Sequence, residues 1–596
     1  MGISRFVCLL ILLLQLSAGI FAQEKADETQ KEKGRQLKIL TEQILGEISN
    51  LRLGENRSFV YAKAGSIIWQ SDAETGLDLF QKAVAELVLS LRAENPKRDQ
   101  RHQNEILSGQ PVRSQILNVI ASRNAEFALD ALYKTRPQVV ADALLYRPEK
   151  STKITNLAHN YSYIAQSEIT LEHTLMRMAA EQNPERTAKL LKESLQRGLS
   201  NETFNLLKRL YDKDPAMADE LTIAVVDKLT KNKFMSGSQP DHQAINIAYN
   251  LLNNFVQERP PTAKFVASAP SQMRNLVERL AAFYLDPKQQ NYGYYLPVVI
   301  KVAEKLLPGS VERLKQIYSE SRQRGGGDQY SDEIGKLLNS ESTPEQLIEE
   351  AKKYPLNSRG QIVQKAASKL SEQGNAETAR QLLEENFSDQ ELENAMANIN
   401  GSRIGQLQND GRFAEAERLI DEMPDGSRIS SLINLANAAF ERNRDENRSY
   451  AIALLAKARS SIPERPENSG DMGYAMQIIS AFINIEADEA FRSVGSLIPQ
   501  INELVDASVV VYGFQGNQNF RQGEMIIVNG TSFGFYFDYS VLTRLAEKDF
   551  DKAMALIDGL SRRELRVAIK LQFAESGGYN SIPIQGRQFR SEIMRK

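Results

Sequence analysis

The stretch from 364 to 385, QKAASKLSEQGNAETARQLLEE, sets a few apolar and small residues in a polar background. Ala367 and Leu370 come first, then Gly374, then Ala379 and Leu383. This spacing predicts two antiparallel helices. The alanines allow close approach, the leucines fill the seam, and Gly374 makes the turn, where a positive φ suits glycine. From about residue 37 to 505 helical signals of this kind dominate.

The pairs recur. Ala64, Ile67, Ser71, Gly76, Phe80 and Ala83 stand at matching offsets in YAKAGSIIWQSDAETGLDLFQKA. Gly411, Ala416 and Ile420 match the second half of the unit, as do Ala451 with Leu455 and Ala553 with Ile557. The small second-helix residues Ala379, Ala416, Ala451 and Ala490 follow one another after 37, 35 and 39 residues. Weaker pairs lie at 112–137 and 154–200. The pattern resembles the tetratricopeptide repeat, a helix–turn–helix unit of about 34 residues. HEAT-like hairpins share most of its features, and the chain is similar to exported bacterial proteins of unassigned function. The single Trp69 sits beside Ile67 and Ile68 and reads as core.

Helix starts are marked by capping residues. Ser71-Asp72-Ala73-Glu74 and Ser388-Asp389-Gln390-Glu391 fit the capping box. Asn183-Pro184, Asp214-Pro215 and Thr343-Pro344 put a capping side chain before a proline at the first helical position.

Residues 506–540 break the pattern, being poor in charge and rich in aromatics, Gly and Asn. Met525–Val528, Asn529-Gly530 and Thr531–Phe537 read as a β-hairpin, since Asn-Gly suits a two-residue turn. This insertion accounts for the 63-residue gap between Ala490 and Ala553.

The fold class that follows is all-α: an α-solenoid of stacked antiparallel helical hairpins with one small β-hairpin insertion near the C-terminus. The expected segments are a signal peptide at 1–22, a flexible leader at 23–36 and an N-terminal helical array at 37–235. A middle helical section with a Gly-rich loop at Gly325-Gly326-Gly327 fills 236–343, with a break at MSGSQPD, 235–241. Tetratricopeptide-like repeats occupy 344–505, the aromatic insertion 506–540, and a helical hairpin and tail 541–596.

The signal reading rests on Arg5, the apolar run Phe6–Leu14 and the small residues Ser17, Ala18 and Gly19, with cleavage after Ala22. The core is shorter than the about 20 apolar residues a membrane span needs. An uncleaved anchor is the alternative. No later segment is expected to cross a membrane. Cys8, the one cysteine, lies inside the signal, so the mature chain carries no thiol for a disulfide, a nucleophile or a thiolate metal site. Location in the periplasm or outside the cell follows.

The chain has 73 basic and 76 acidic side chains and a net charge of −3, becoming −4 once Arg5 leaves with the signal. That balance argues against a nucleic-acid partner, which usually meets a basic excess. The histidines are His102, His159, His173 and His242; none forms an HExxH pair, and His159 and His173 stand 14 residues apart, too far to share a metal on one helix. No nucleophile elbow, phosphate loop or dinucleotide fingerprint is present, and no cofactor or metal is expected.

Two features could bind a ligand. Arg57, Arg359 and Arg428 each stand near the start of a first helix, 14–15 residues before the inter-helix turn. A cation there opposes the helix dipole and needs compensation. That comes either from an ion pair with the preceding repeat or from an acidic peptide or carboxylate ligand. The second is the aromatic set Tyr512, Phe514, Phe520, Arg521, Phe533, Phe535 and Tyr536. It is either a pad packed on the last repeats or a contact surface for a partner or a glycan.

Stacked hairpins present extended surfaces suited to peptides and proteins. The expected role is an exported scaffold for a protein or peptide partner. The alternatives are a glycan-processing or other hydrolytic enzyme with a site between arcs, and a structural part of an envelope assembly. Enzymatic activity is not expected.

Overall fold

Capping decides where the helices begin. Asn183 accepts the Arg186 amide at 3.1 Å with Pro184 at the first helical position. Asp214 accepts the Ala216 and Met217 amides, and Thr343 closes a reciprocal box with Gln346. Two expected boxes differ. At 71–74 the cap is Asp72, which holds the Thr75 amide and hydroxyl, while Ser71 turns back to the Ile68 carbonyl. At 388 the carbonyl of Ser388, not its hydroxyl, accepts the Glu391 amide.

The structure, a computed structural model, describes residues 32–93, 100–145, 156–231, 234–236, 239–256, 270–286, 295–324, 331–517, 519–527, 535 and 537–576. The signal segment 1–22, the leader up to residue 31, the Gly325–Gly327 loop and the expected turn at Asn529-Gly530 lie outside those residues.

The helices run in chain order as α1 (32–48), α2 (Gly54–Ile68), α3 (Ala73–Ala93), α4 (Gln100–Ala121), α5 (Ala125–Lys134), α6 (Gln138–Leu145), α7 (Asn156–Ala179), α8 (Pro184–Arg197), α9 (Glu202–Lys213) and α10 (Pro215–Lys231). A two-stranded ribbon, β1 (Met235–Ser236) with β2 (Gln239–Pro240), precedes α11 (His242–Val256) and α12 (Pro270–Leu285). Then come α13 (Leu296–Leu306), α14 (Val311–Arg324), α15 (Ser331–Leu338), α16 (Pro344–Ala351), α17 (Leu356–Glu372), α18 (Ala376–Asn386), α19 (Asp389–Asn409), α20 (Phe413–Asp421), α21 (Asp425–Arg442), α22 (Arg444–Ser460), α23 (Ser469–Ile485) and α24 (Ala487–Phe514). The described residues close with β3 (Phe520–Arg521), β4 (Glu524–Met525), α25 (Ser540–Ala546), α26 (Phe550–Asp558) and α27 (Arg563–Ser576).

It is a helical-repeat fold of stacked antiparallel hairpins. The small seam residues Ala379, Ala416, Ala451, Ala490 and Ala553 are all fully buried. Gly374 turns between α17 and α18 with φ +87°, and Gly411 between α19 and α20 with φ +75°. Gly76 sits inside α3, where a Cβ would come within 2.9 Å of Trp69 and 3.1 Å of the Gly65 carbonyl. It therefore serves close packing of α2 and α3 and not a turn. Trp69 is half-buried at that contact and stacks on Phe80 at 5.3 Å.

The chain forms two compact units. The first comprises Met1–Leu280, Leu497–Gly534 and Tyr539–Lys596, and the second Ala281–Ser496 with Phe535–Asp538. In the second unit α16–α19 share one core built on Leu347, Ile362, Ala366, Ala367, Leu370, Ala379, Leu383 and Ala395. α24 is, by length and composition, apolar enough to cross a bilayer, which the sequence reading did not foresee. A third of its apolar window is buried, including Ile501, Val505 and Val509, so part of that apolarity is core.

In the first unit the two ends of the described chain meet. α27 packs on α2 as well as on α25. Arg566 pairs with Glu47 at 3.2 Å and Lys63 with Glu575 at 2.7 Å. Between them lies the β3–β4 hairpin, and it is not the one expected. Met525 pairs backwards with Phe520 through a turn at Gln522-Gly523, whose φ angles are 53° and 71°. A glutamine in the first turn position hides the signal that Asn-Gly would carry.

Asn56, fully buried on α2, completes this hairpin's unpaired edge. Its amide donates to the Met525 carbonyl and accepts from the Ile527 amide, both at 2.7 Å, as a neighbouring strand would. Glu524 accepts the Asn56 amide at 2.7 Å and the Arg52 and Leu53 amides just before α2. A carboxylate there also suits the positive end of the helix dipole. The Met525 amide finds Glu564 at 3.2 Å. Burial first, and Glu524 beside it, raise the Glu564 carboxyl above its usual range.

Replacing Asn56 with Leu keeps the branched heavy-atom shape and strips three partners at once: the Glu524 carboxylate, the Met525 carbonyl and the Ile527 amide. Each buried polar group left alone costs about 1–3 kcal/mol. Asn56→Leu is therefore expected to lower unfolding stability in urea by about 2–4 kcal/mol. An unchanged midpoint would show that this edge does not hold the ends together.

Candidate functional site

The arginines singled out by sequence divide between the units, Arg57 in the first and Arg359 and Arg428 in the second. Arg57 is saturated internally. Its Nε meets Glu86 at 3.0 Å, and its Nη1 donates to the Leu51 and Arg52 carbonyls at 2.8 Å. Glu86 lies on α3, so the ion pair is with its own hairpin and not with a preceding repeat. Arg566 repeats the device, reaching the Leu560 carbonyl at 2.8 Å and Glu47. Sequence reasoning missed it because no turn glycine follows α27 at the expected offset. Arg359 is half-buried, with its Nε lacking an acceptor, and Arg428 is half-buried and engaged.

The aromatic set separates as well. Tyr512 stacks on the buried Phe520 at 5.3 Å. Arg521 pairs with Glu55 at 2.6 Å. Phe514 is 94% exposed at the end of α24. Phe535 is half-buried in the second unit; Phe533 and Tyr536 lie outside the described residues.

A cluster that the sequence reading passed over sits in the first unit on α7. Glu168 and Glu172 stand one turn apart, and like charges at that spacing destabilise a lone helix. Cations from three neighbours compensate them. Arg113 of α4, fully buried, grips Glu168 with two bonds at 2.7 and 3.1 Å, and donates also to Thr135 and the Leu132 carbonyl. Arg136 bridges Glu168 at 2.7 Å and Glu172 at 3.3 Å. Arg197, ending α8, and the Tyr133 hydroxyl both donate to the other Glu172 oxygen. Burial pushes the Glu168 carboxyl up, but Arg113 and Arg136 outweigh it and hold it below its ordinary range. Burial, then Glu172, raises the Tyr133 hydroxyl, so it stays a donor.

Next to Glu172, His173 is fully buried between Ser200 at 2.8 Å and Thr203 at 3.2 Å on Nδ1, and Ser194 at 3.0 Å on Nε2. These hydroxyls adapt to a neutral ring. Burial, and then the charge of Arg197, bring its pKa down to about 3.

The second unit carries a cleft of about 790 Å³ between α22, α23 and the start of α24. Ile452, Ala456, Ile462 and Phe482 supply its apolar floor. Arg459, Glu464, Glu486, Glu489 and Arg492 line its rim. Arg459 is fixed by the carbonyls of Ile462, Pro463 and Glu464, Glu486 by Arg448 at 2.9 Å, and Glu489 by Arg492. The size suits a few side chains, within the roughly 300–1,000 Å³ typical of ligand sites.

No family model matches the chain, and no curated protein matches it. Among solved structures, a circular tandem repeat protein described as having a novel repeat topology and enhanced subunit contact surfaces is similar at 14% identity, over 88% of this chain and 98% of that one, with a TM-score of 0.19. The class defined by the stacked hairpins themselves is a helical-repeat protein.

In the unfolded chain the His173 ring takes its proton near pH 6.5, and in the folded chain only near pH 3. Between these values the unfolded state binds more protons, so this residue lowers stability as pH falls through that window, with no further effect below it. Ring nitrogen resonances should therefore show no His173 midpoint near pH 6.5. A midpoint there would mean that the ring is not sealed.

Proposed function

We propose that the chain is an exported helical-repeat scaffold, of tetratricopeptide-like type, that holds a protein or peptide partner in the periplasm or outside the cell. The cleft of the second unit carries this reading, because it joins an apolar floor to a charged rim on fixed helices. A partner segment with an apolar anchor flanked by charges of both signs fits it. The buried alanines and the positive-φ glycines between paired helices support the repeat type. The apolar run Phe6–Leu14 behind Arg5 supports export. Phe514, Arg359 and Arg428 are secondary contact candidates.

Ala456 is exposed on the cleft floor, so a large side chain there fills the site without entering the core. Peptides selected from a random library on the wild-type chain should share an apolar anchor and lose affinity about tenfold or more on Ala456→Trp, with melting unchanged. Equal binding to both chains would remove the cleft from the proposal. Export has its own check: the mature chain recovered from bacterial envelope fractions should begin at Gln23, and an intact Met1 would count against it.

A further inference from the structure

We propose that the outer edge of the α7 charge cluster, Arg136 with Arg197, binds a carboxylate of an acidic peptide segment. The site is separate from the cleft and does not rest on it. Its charges do not balance. Among the described residues, Arg113, Arg136 and Arg197 face Glu168 and Glu172, three cations against two carboxylates. All four carboxylate oxygens are taken, by Arg113 and Arg136 on Glu168 and by Arg136, Arg197 and Tyr133 on Glu172.

The excess sits at one end. Arg113 has 1% of its side chain exposed, while Arg136 has 16% and Arg197 26%. Arg136 uses Nε and Nη2. Arg197 uses only Nη2, and its Nε is buried with no acceptor. The carbonyls ending α8 offset part of the Arg197 charge but give that Nε no partner. Two guanidinium groups already converge on Glu172, each on its own oxygen. The Nη1 groups of Arg136 and Arg197, which make no bond among the described residues, suit a second carboxylate, the geometry guanidinium forks favour. One excess charge matches one carboxylate, whereas a doubly charged phosphate would overfill the site.

The test is fluorescence anisotropy with a labelled peptide of alternating Glu and Ser, its Gln–Ser counterpart, and inorganic phosphate as competitor. Wild-type protein should bind the acidic peptide and not the neutral one. Arg197→Gln removes the excess and should weaken binding about tenfold. Glu172→Gln doubles the excess and should tighten it, a gain that a purely structural network would not give. Should Glu172→Gln fail to fold, Arg197→Glu at the half-buried edge should abolish binding. Equal affinity for both peptides, or for wild type and Arg197→Gln, overturns the proposal. Phosphate binding without peptide binding overturns the peptide assignment.

Discussion

A helical hairpin carries an apolar stripe on each side, and only a neighbour can cover it. Inside a stack every hairpin has two neighbours; at the ends one stripe is bare, and repeat proteins ordinarily cap it with a polar outer face. The first unit meets the constraint differently, because α2 and α27 cover each other. Such a contact between segments more than 500 residues apart in sequence, 512 for Lys63 and Glu575, carries a large closure entropy, which grows slowly with length. Apolar packing alone is non-directional and leaves the register loose. Asn56 and Glu524 set it, because a buried strand edge and the amides leading into α2 accept only partners at fixed positions.

This explains why the aromatic insertion exists. Its β3–β4 hairpin is more than a pad on the last repeats: Phe520 and Met525 are buried, and Glu524 and Arg521 reach back to α2, while Phe514 stays exposed. The hairpin is a clasp between the two ends of the described chain, and its β structure supplies backbone groups that a helix would have used up within itself.

What could be read from sequence was local. The alanine seams, Gly374 and Gly411 in positive φ, and the Asn183, Asp214 and Thr343 caps depend on a few adjacent residues, and they stand where spacing put them. The misses are non-local. Nothing near Asn56 announces that its amide will stand in for a strand, and the Gln522-Gly523 turn lacks the Asn that marks such turns. The cleft joins α22, α23 and α24 through side chains that separately look like ordinary helix faces. The α7 cluster left one trace, two glutamates a turn apart on an otherwise apolar face, which has meaning only if cations arrive from elsewhere.

Those cations also bear on why the cluster persists. Burying ions costs several kcal/mol each, roughly repaid by pairing, and apolar residues of similar volume often do as well or better. Stability alone is therefore a weak reason for three arginines and two glutamates in this place. The network is also uneven. Its inner end is closed, with Arg113 spending donors on Thr135, the Leu132 carbonyl and both Glu168 oxygens. Its outer end is open, with Arg197 and Arg136 both partly exposed. A cluster kept only to orient α7 against α4 and α8 would gain nothing from that asymmetry. One built to hold α7 in place and present a guanidinium pair outward requires it, because the inner bonds keep the outer donors aligned before any ligand arrives.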